Sequence, residues 1–288
     1  MSTIEAVTKR HSVLIYFALV FVISWGGGFL VLGPEGLPLR AEEFASLGAL
    51  LYVAILAGPF VAGVLSTGIV DGQPGLRQLL ARLRRWRAGW SWYALAVLPA
   101  LLMTGTVLLL SLVSSDFRPA ILDSNDKAGM LMGALGPALL VGAVEEIGWT
   151  GFAVPRLRTC HSILATGLAV GVVWGAWHFP LFWEVDSFSA PLPLVILLTK
   201  LFSWLPPFRV LLVWVNDRTQ SLPVVMLMHA LVSFVSITLS PETLTGARLL
   251  TSVLATAGTM WLLLAAVGAV NRRRLSRPDK SPFPSFVL

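Results

Sequence analysis

Long apolar runs dominate this chain and restrict it to a membrane environment. Eight runs of about 20 residues follow one another, and a helix of that length crosses a hydrocarbon core of about 30 Å. They cover residues 12–32, 46–70, 90–113, 128–148, 162–183, 192–215, 222–239 and 249–270. With 56% hydrophobic and 12% charged residues, the 288-residue chain is too apolar for an ordinary soluble domain. The sequence therefore predicts an all-α, polytopic helix bundle with eight transmembrane helices in the cell membrane.

No long polar segment separates the apolar runs, so we expect a single integral membrane domain over residues 1–288. The first run is longer than the apolar region of a signal peptide, and no small-residue cleavage site follows it. We interpret it as an uncleaved first span. The single cysteine, Cys160, excludes an internal disulfide and a thiolate cluster.

The positive charges predict the orientation of the bundle. If both termini are cytoplasmic, 15 of the 21 Lys and Arg residues lie on the cytoplasmic side, and most acidic residues outside the spans lie opposite. We therefore expect both termini in the cytoplasm. The basic residues border the spans and accompany no nucleic-acid motif, so anionic lipids are the expected partners, with no nucleic acid. The segment RQLLARLRRWR, residues 77–87, is interpreted as a lipid-facing anchor.

A few polar side chains interrupt the apolar runs, and such residues are candidates for function because burying them in lipid is costly. They are Glu145 and Glu146 in the fourth run, His178 in the fifth, Lys200 and Arg209 in the sixth, and His229 in the seventh. Each histidine, taken alone, is more often a buried hydrogen-bonding residue that joins helices. The two adjacent carboxylates are harder to explain in this way, since each costs about 2.5–3.5 kcal/mol at the centre of a span.

Helical spacing predicts where these side chains point. Glu145 and Glu146 are about 100° apart around the helix axis, so we expect one to face a cavity and the other to anchor a neighbouring helix. In the fifth run, glycines at 167, 171 and 175 form a ridge of small residues, and His178 lies on the same side. In the seventh run, His229 begins a polar stripe with serines at 233, 236 and 240.

The distances to interfacial arginines predict that Glu145, His178 and His229 converge in the cytoplasmic half of the bilayer, although His178 requires helix tilt to do so. A carboxylate and two imidazoles around a wet cavity suit hydrolysis. Glu145 would act as general base on water, and the histidines would either bind a metal or hold the water.

Three segments carry a resemblance to a known family. EEIGWTGFAVPRL, WGAWH and HALVS, in this order in the fourth, fifth and seventh runs, resemble the signature motifs of the CPBP family of intramembrane proteases. That family includes CAAX prenyl endopeptidases and bacterial immunity-type (Abi) homologues. The similarity covers a protease-like core at about residues 75–240 and implies an eight-helix fold.

The resemblance also implies roles for the candidate residues. Glu145 would activate water, Glu146 would be its partner acid, and His178 and His229 would complete the site. It leaves the cofactor open between none and one divalent metal such as zinc, held by His178, His229 and Glu145 if a metal is used. The implied substrates are membrane-associated peptides or lipidated proteins.

Three positions depart from the family pattern. Thr150 replaces an arginine four residues after the second glutamate, which removes the expected cationic partner of Glu146 and leaves it to be protonated or to pair with a residue such as Arg156. Trp174 stands for a phenylalanine, an exchange that we interpret as benign. Ser233 stands for an asparagine and still offers a hydroxyl for oxyanion support. These departures keep an inactive or slow family member in consideration.

Lys200 and Arg209 flank a proline pair, Pro206 and Pro207, which predicts a kink in the sixth helix. The two cations could line a substrate cavity or neutralise the glutamates, but the commoner behaviour is to snorkel toward an interface. We favour snorkelling.

Three functions are compatible with these features. The leading hypothesis is an intramembrane endopeptidase that cleaves membrane-bound substrates, prenylated or bacteriocin-like. The second is a catalytically silent family member that acts as a membrane scaffold or immunity protein. The third is a proton-coupled transporter, although the two halves of the chain show no obvious repeat.

Overall fold

A computed structural model of the protein describes residues 11–33, 36–38, 41–239 and 244–275, which contain helices and no β-strand. The longer helices are α1 (Ser12–Leu32), α2 (Ala41–Leu83), α3 (Trp90–Val113), α4 (Lys127–Gly148), α5 (Ile163–Trp177), α6 (Pro191–Phe202), α7 (Leu205–Thr219), α8 (Leu222–Leu239) and α9 (Gly246–Leu275). Shorter helical segments occupy Ser115–Phe117, Ala120–Asp123, Trp149–Ala153, Val154–Arg158 and Phe179–Phe182. The predicted helical membrane bundle is confirmed.

Seven stretches of the described residues are long and apolar enough to cross a membrane. They agree with seven of the predicted spans. The exception is the predicted span at 162–183, where α5 has only 15 residues and a length of about 22 Å. It ends at Trp177 because a second short helix with Pro180 near its start follows. The count of eight crossings therefore stays a prediction.

The chain ends, residues 1–10 and 276–288, lie outside the described residues, and so do the serine predicted at position 240 of the polar stripe and most of the terminal basic residues. Their cytoplasmic location stays a prediction. The bundle supports a multi-pass membrane protein, since its long apolar helices need a lipid environment.

Helix α2 is longer than the sequence suggested. It kinks at Gly72, where φ is 64°, and continues to Leu83. For Arg82 alone this corrects the interpretation of residues 77–87 as a lipid-facing anchor, because Arg82 is half-buried and donates hydrogen bonds to Thr150 O, Gly151 O and Asn216 Oδ1. Arg82 therefore ties α2 to the segment that follows the two glutamates. The side chains of Arg84, Arg85 and Arg87 are exposed, which is consistent with a contact with lipid.

The glycine ridge of α5 packs closely against the chain around the α6–α7 break, as the spacing predicted. A Cβ added at Gly171 would lie 2.6 Å from Pro206 Cα, and one at Gly175 would lie 2.1 Å from Leu201 O. The predicted kink at the proline pair is also confirmed, since α6 ends at Phe202 and α7 begins at Leu205. Close approach at the ridge brings the end of α5 to the centre of the bundle.

Helix α4 is held between α2 and α8. A Cβ added at Gly142 would lie 2.5 Å from Met226 O on α8, and one at Gly148 would lie 2.1 Å from Pro59 O on α2. Glu145 and Glu146 lie between these two contacts and are both buried. A π turn, Trp149–Ala153, follows them, and such turns are frequent at functional sites because they change the helical register.

Candidate active site

A cavity of about 220 Å³ lies at the centre of the bundle. Its polar lining comes from four helices or helix ends and includes Glu145, His178, His229 and Ser233. The remaining lining is largely aromatic and aliphatic and includes Trp174, Trp177, Phe182, Trp204, Phe208 and Val232. The structure thus brings together four of the five predicted site residues, and the cavity can enclose water beside an apolar chain segment.

Glu145 faces this cavity with one oxygen engaged. Its Oε2 accepts hydrogen bonds from the indole nitrogens of Trp149 at 3.2 Å and Trp174 at 2.7 Å. Its Oε1 has no hydrogen-bond partner among the described residues and is not sealed from the cavity. The two indoles therefore orient the carboxylate and leave one oxygen available to a water molecule.

Glu146 lies behind the cavity and not in its lining. Its Oε1 is 2.7 Å from His229 Nδ1, and both of its oxygens are 2.9 Å from the same guanidinium nitrogen of Arg209. The hydroxyl of Thr150 donates to Oε2. With both oxygens occupied, Glu146 anchors α7 and α8 to α4, which is the division of roles that the 100° separation predicted.

The two histidines are oriented through their Nδ1 atoms. His229 Nδ1 donates to Glu146, and His178 Nδ1 lies 2.8 Å from Trp174 O. Because a carbonyl or carboxylate oxygen only accepts, each Nδ1 carries the proton and Nε2 remains as an acceptor. The His178 ring also stacks on Phe182, with centroids 5.5 Å apart. Both imidazoles are therefore held in one tautomer beside the cavity.

Trp174 connects all of these groups, and the interpretation of its exchange as benign stays a prediction. Besides donating to Glu145, its ring lies 5.1 Å from the ring of His178 and 5.2 Å from that of His229. The Arg209 guanidinium carbon lies 4.1 Å from its ring centroid. A phenylalanine would keep this packing but would lose the hydrogen bond to the carboxylate.

Arg209 does not snorkel, so the favoured interpretation of this residue is corrected. It is 0% exposed and pairs with Glu146, and their mutual attraction compensates part of the hydration that both groups lose on burial. Arg209 thus supplies the cationic partner of Glu146 that is lost where Thr150 replaces the arginine of the family pattern. The alternative partner, Arg156, pairs instead with Asp71, and Lys200 pairs with the exposed Glu184.

The residues proposed as conditional metal ligands do not form a ligand group. Among the described residues, no set of three or more His, Cys, Asp or Glu side chains is arranged to hold a metal ion. Glu146 and Trp174 O take the two Nδ1 atoms, so the Nε2 atoms of the histidines and one oxygen of Glu145 are the donor atoms left at the cavity. The side chains as placed do not fit a metal centre.

Sequence reasoning missed Trp149 and Trp174 as hydrogen-bond partners of Glu145. A signal was present for Trp149, which follows Glu145 by four residues and so shares its helical face. For Trp174 the sequence shows only an indole in place of a phenyl ring. Its partner is 29 residues away and belongs to another helix, which spacing alone does not reveal.

Comparison with known proteins points to the same region. Residues 127–235 match the family model described as "Type II CAAX prenyl endopeptidase Rce1-like". A relative named "CAAX prenyl protease 2", from Methanococcus maripaludis, is 23% identical over 188 residues. The alignment covers 62% of this chain and 66% of the relative, so the chain spans slightly less than two thirds of its length. The match with the family model includes all five predicted site residues.

Proposed function

We propose that this protein, an Rce1-like member of the CPBP family, is an intramembrane endopeptidase that hydrolyses peptide bonds with a water molecule activated by Glu145. The observation that carries the proposal is the cavity in which Glu145, His178, His229 and Ser233 meet. Only Glu145 combines a place in that lining with a carboxylate oxygen that has no partner among the described residues.

The arrangement supports a general-base mechanism. Oε1 of Glu145 takes a proton from water as the oxygen attacks the scissile carbonyl, and later returns it to the leaving amine. The second O–H of the water donates to one imidazole Nε2, while the other Nε2 can accept from the peptide N–H. The Ser233 hydroxyl, which lines the cavity, would donate to the developing oxyanion.

Glu146 and Arg209 are positioning residues in this mechanism. The carboxylate of Glu146 keeps the His229 proton on Nδ1, and Arg209 compensates the charge of that carboxylate.

The substrate class that suits the largely apolar lining is a peptide segment of a membrane-associated protein. Anionic lipids remain the expected partners of the exposed basic residues.

A histidine series tests the proposal. His178→Ala and His229→Ala should each lower kcat by about 100-fold, because each removes an Nε2 that orients water or substrate. Peptides cut by the purified wild type would first be identified in a peptide-library screen in detergent. The rates of the two variants would then be measured on those peptides.

The matched control is His161→Ala, since His161 lies in the turn before α5 and not in the cavity lining. It should keep wild-type turnover. Thermal unfolding of each variant would show whether a lost rate reflects lost structure. Absence of cleavage by a folded wild type would refute the peptidase and favour the scaffold hypothesis.

The indole of Trp174 provides a second test. Trp174→Phe should lower kcat about tenfold and leave KM nearly unchanged, because the phenyl ring keeps the packing but no longer orients the Glu145 carboxylate. Steady-state rates on the same peptide would separate the two constants.

Trp177→Phe is the control for this change. Trp177 is equally buried and lines the same cavity, but its indole nitrogen has no hydrogen-bond partner among the described residues. Its replacement should leave kcat within about twofold of the wild type. Equal losses in both variants would contradict the role assigned to the Trp174 hydrogen bond.

A further inference from the structure

Helix α2 brings an arginine back over the segment that follows the two glutamates. The helix bends at Gly72, whose φ of 64° lies in the left-handed region that glycine tolerates. Beyond the bend it continues through Arg82 to its end. The guanidinium of Arg82 donates to Gly151 O at 3.1 Å, to Thr150 O at 3.2 Å and to Asn216 Oδ1 at 2.8 Å.

Pro155 explains why these two carbonyls take a donor from another helix. It follows Thr150 by five residues and Gly151 by four, and it has no N–H to donate to either of them. Arg82 supplies donors in its place, which accounts for two of its three guanidinium nitrogens. The acceptors are carbonyl and amide oxygens without net charge, so they bind the guanidinium and do not neutralise it.

The charge of Arg82 therefore has no counter-charge. Among the described residues this side chain forms no ion pair, and its Nε is buried without a hydrogen-bond partner. The neighbouring acids are taken, since Asp71 pairs with Arg156 and Asp217 pairs with Arg158. A half-buried cation is costly unless an anion approaches it, so the surroundings of Arg82 favour a bound anion.

A cavity of about 260 Å³ gives an anion access to Arg82. We call it the helix-end cavity, because its lining includes Arg82 near the end of α2, Thr159 after the short helix that follows the π turn, and Gln220 after α7. Its charged lining consists of Arg82, Arg156 and Asp71, so positive charge exceeds negative by one. Its volume is close to the lower end for small-molecule sites, about 300 Å³, and suits a single headgroup.

We propose that the helix-end cavity is a binding site for a phosphoryl group, carried by a membrane lipid or by a soluble phosphate compound. Arg82 provides the charge, since guanidinium groups bind phosphate oxygens strongly. Gln78 precedes Arg82 by four residues on the same face of α2, lines the cavity and offers its amide N–H groups. The ends of spanning helices lie at the level of the lipid headgroups, so both sources can reach this cavity.

The site is independent of the proposed peptidase. The helix-end cavity shares no lining residue with the catalytic cavity around Glu145. The π turn lies between them, because Gly151 lines the helix-end cavity and Trp149 donates to Glu145. Phosphate binding is therefore measured without reference to peptide cleavage, and either proposal can fail alone.

A pair of matched substitutions tests the site. Gln78→Glu places a carboxylate in the lining, and Gln73→Glu makes the same change five residues earlier on α2, at an exposed position outside the lining. Arg82→Met removes the cation directly. Because Arg82 also ties α2 to the π turn, Gln78→Glu decides the outcome if Arg82→Met does not fold.

Delipidated protein in a non-ionic detergent, at physiological ionic strength, would be titrated with inorganic phosphate by calorimetry. Native mass spectrometry would compare dioctanoyl phosphatidic acid with dioctanoylglycerol, which has the same chains and no phosphoryl group. The wild type and Gln73→Glu should each bind one molecule of at least one phosphoryl probe. Gln78→Glu and Arg82→Met should bind it at least about tenfold more weakly, the loss expected when a charge-assisted hydrogen bond is removed.

The two probes distinguish the sources of the phosphoryl group. Preference for phosphatidic acid over dioctanoylglycerol without phosphate binding would identify a lipid ligand, and phosphate binding without that preference would identify a soluble one. Absence of saturable phosphate binding together with equal retention of the two lipids would overturn the site. Binding to Gln78→Glu, or to folded Arg82→Met, as tight as to Gln73→Glu would overturn it as well.

Discussion

Glu145→Gln should lower kcat for peptide cleavage by about 10⁴-fold, the upper end of what a general base contributes. Loss at this level is expected because Glu146 already binds Arg209, Thr150 and His229 and cannot replace the missing base. The amide keeps a carbonyl oxygen that can accept from both indoles, so the variant should unfold at nearly the wild-type temperature. Rates on a peptide cut by the wild type, measured in detergent, would check the expectation.

The control for this variant is Glu184→Gln. Glu184 is exposed, pairs with Lys200 and does not line the catalytic cavity, so its replacement should leave kcat unchanged. A folded Glu145→Gln protein that kept even a tenth of the wild-type rate would exclude Glu145 as the base. Full cellular function in that variant, in turn, would favour the scaffold hypothesis over the peptidase.

Arg209→Met should produce the largest loss of stability, about 3–5 kcal/mol, because it leaves the buried carboxylate of Glu146 without its cation. Two guanidinium nitrogens of Arg209 have no hydrogen-bond partner among the described residues, so its hydrogen bonding to Glu146 depends on the single remaining nitrogen. Chemical unfolding in mixed detergent micelles would measure the difference.

A double variant separates charge from packing. If the loss reflects an uncompensated carboxylate, Glu146→Gln combined with Arg209→Met should recover much of the stability lost by Arg209→Met alone. Arg118→Met is the control, since its pair with Asp123 is exposed and should contribute less than about 1 kcal/mol. Additive losses in the double variant would show that Arg209 acts through packing and would contradict the charge-pair explanation.

Much of the bundle was predictable because its signals are local. A run of apolar residues reveals a spanning helix whatever surrounds it, and spacing along one helix separates Glu145 from Glu146. The effects of the glycines of α5 and of the proline pair in the first turn of α7 are likewise local. The short α5 was harder to predict, because residues 178–183 are as apolar as the helix and only their backbone geometry excludes them from it.

The compensating interactions were not predictable in the same way. Arg209 is 63 residues from Glu146, and nothing in the intervening sequence indicates that α7 turns this side chain toward α4 and away from an interface. The hydrogen bond from Trp174 to Glu145 also joins residues that are distant in the sequence, and the sequence does not indicate it. Each of these contacts depends on the rotation of one packed helix relative to another.

The sequence by itself determined that this chain is a membrane helix bundle and that its acids and histidines occur inside the spans, since hydrophobic length and the cost of buried charge are properties of short segments. Only the tertiary structure decided which carboxylate faces the cavity and which cation neutralises the other. Those features depend on close helix contacts at glycine, which bring side chains from distant parts of the chain to within hydrogen-bond distance.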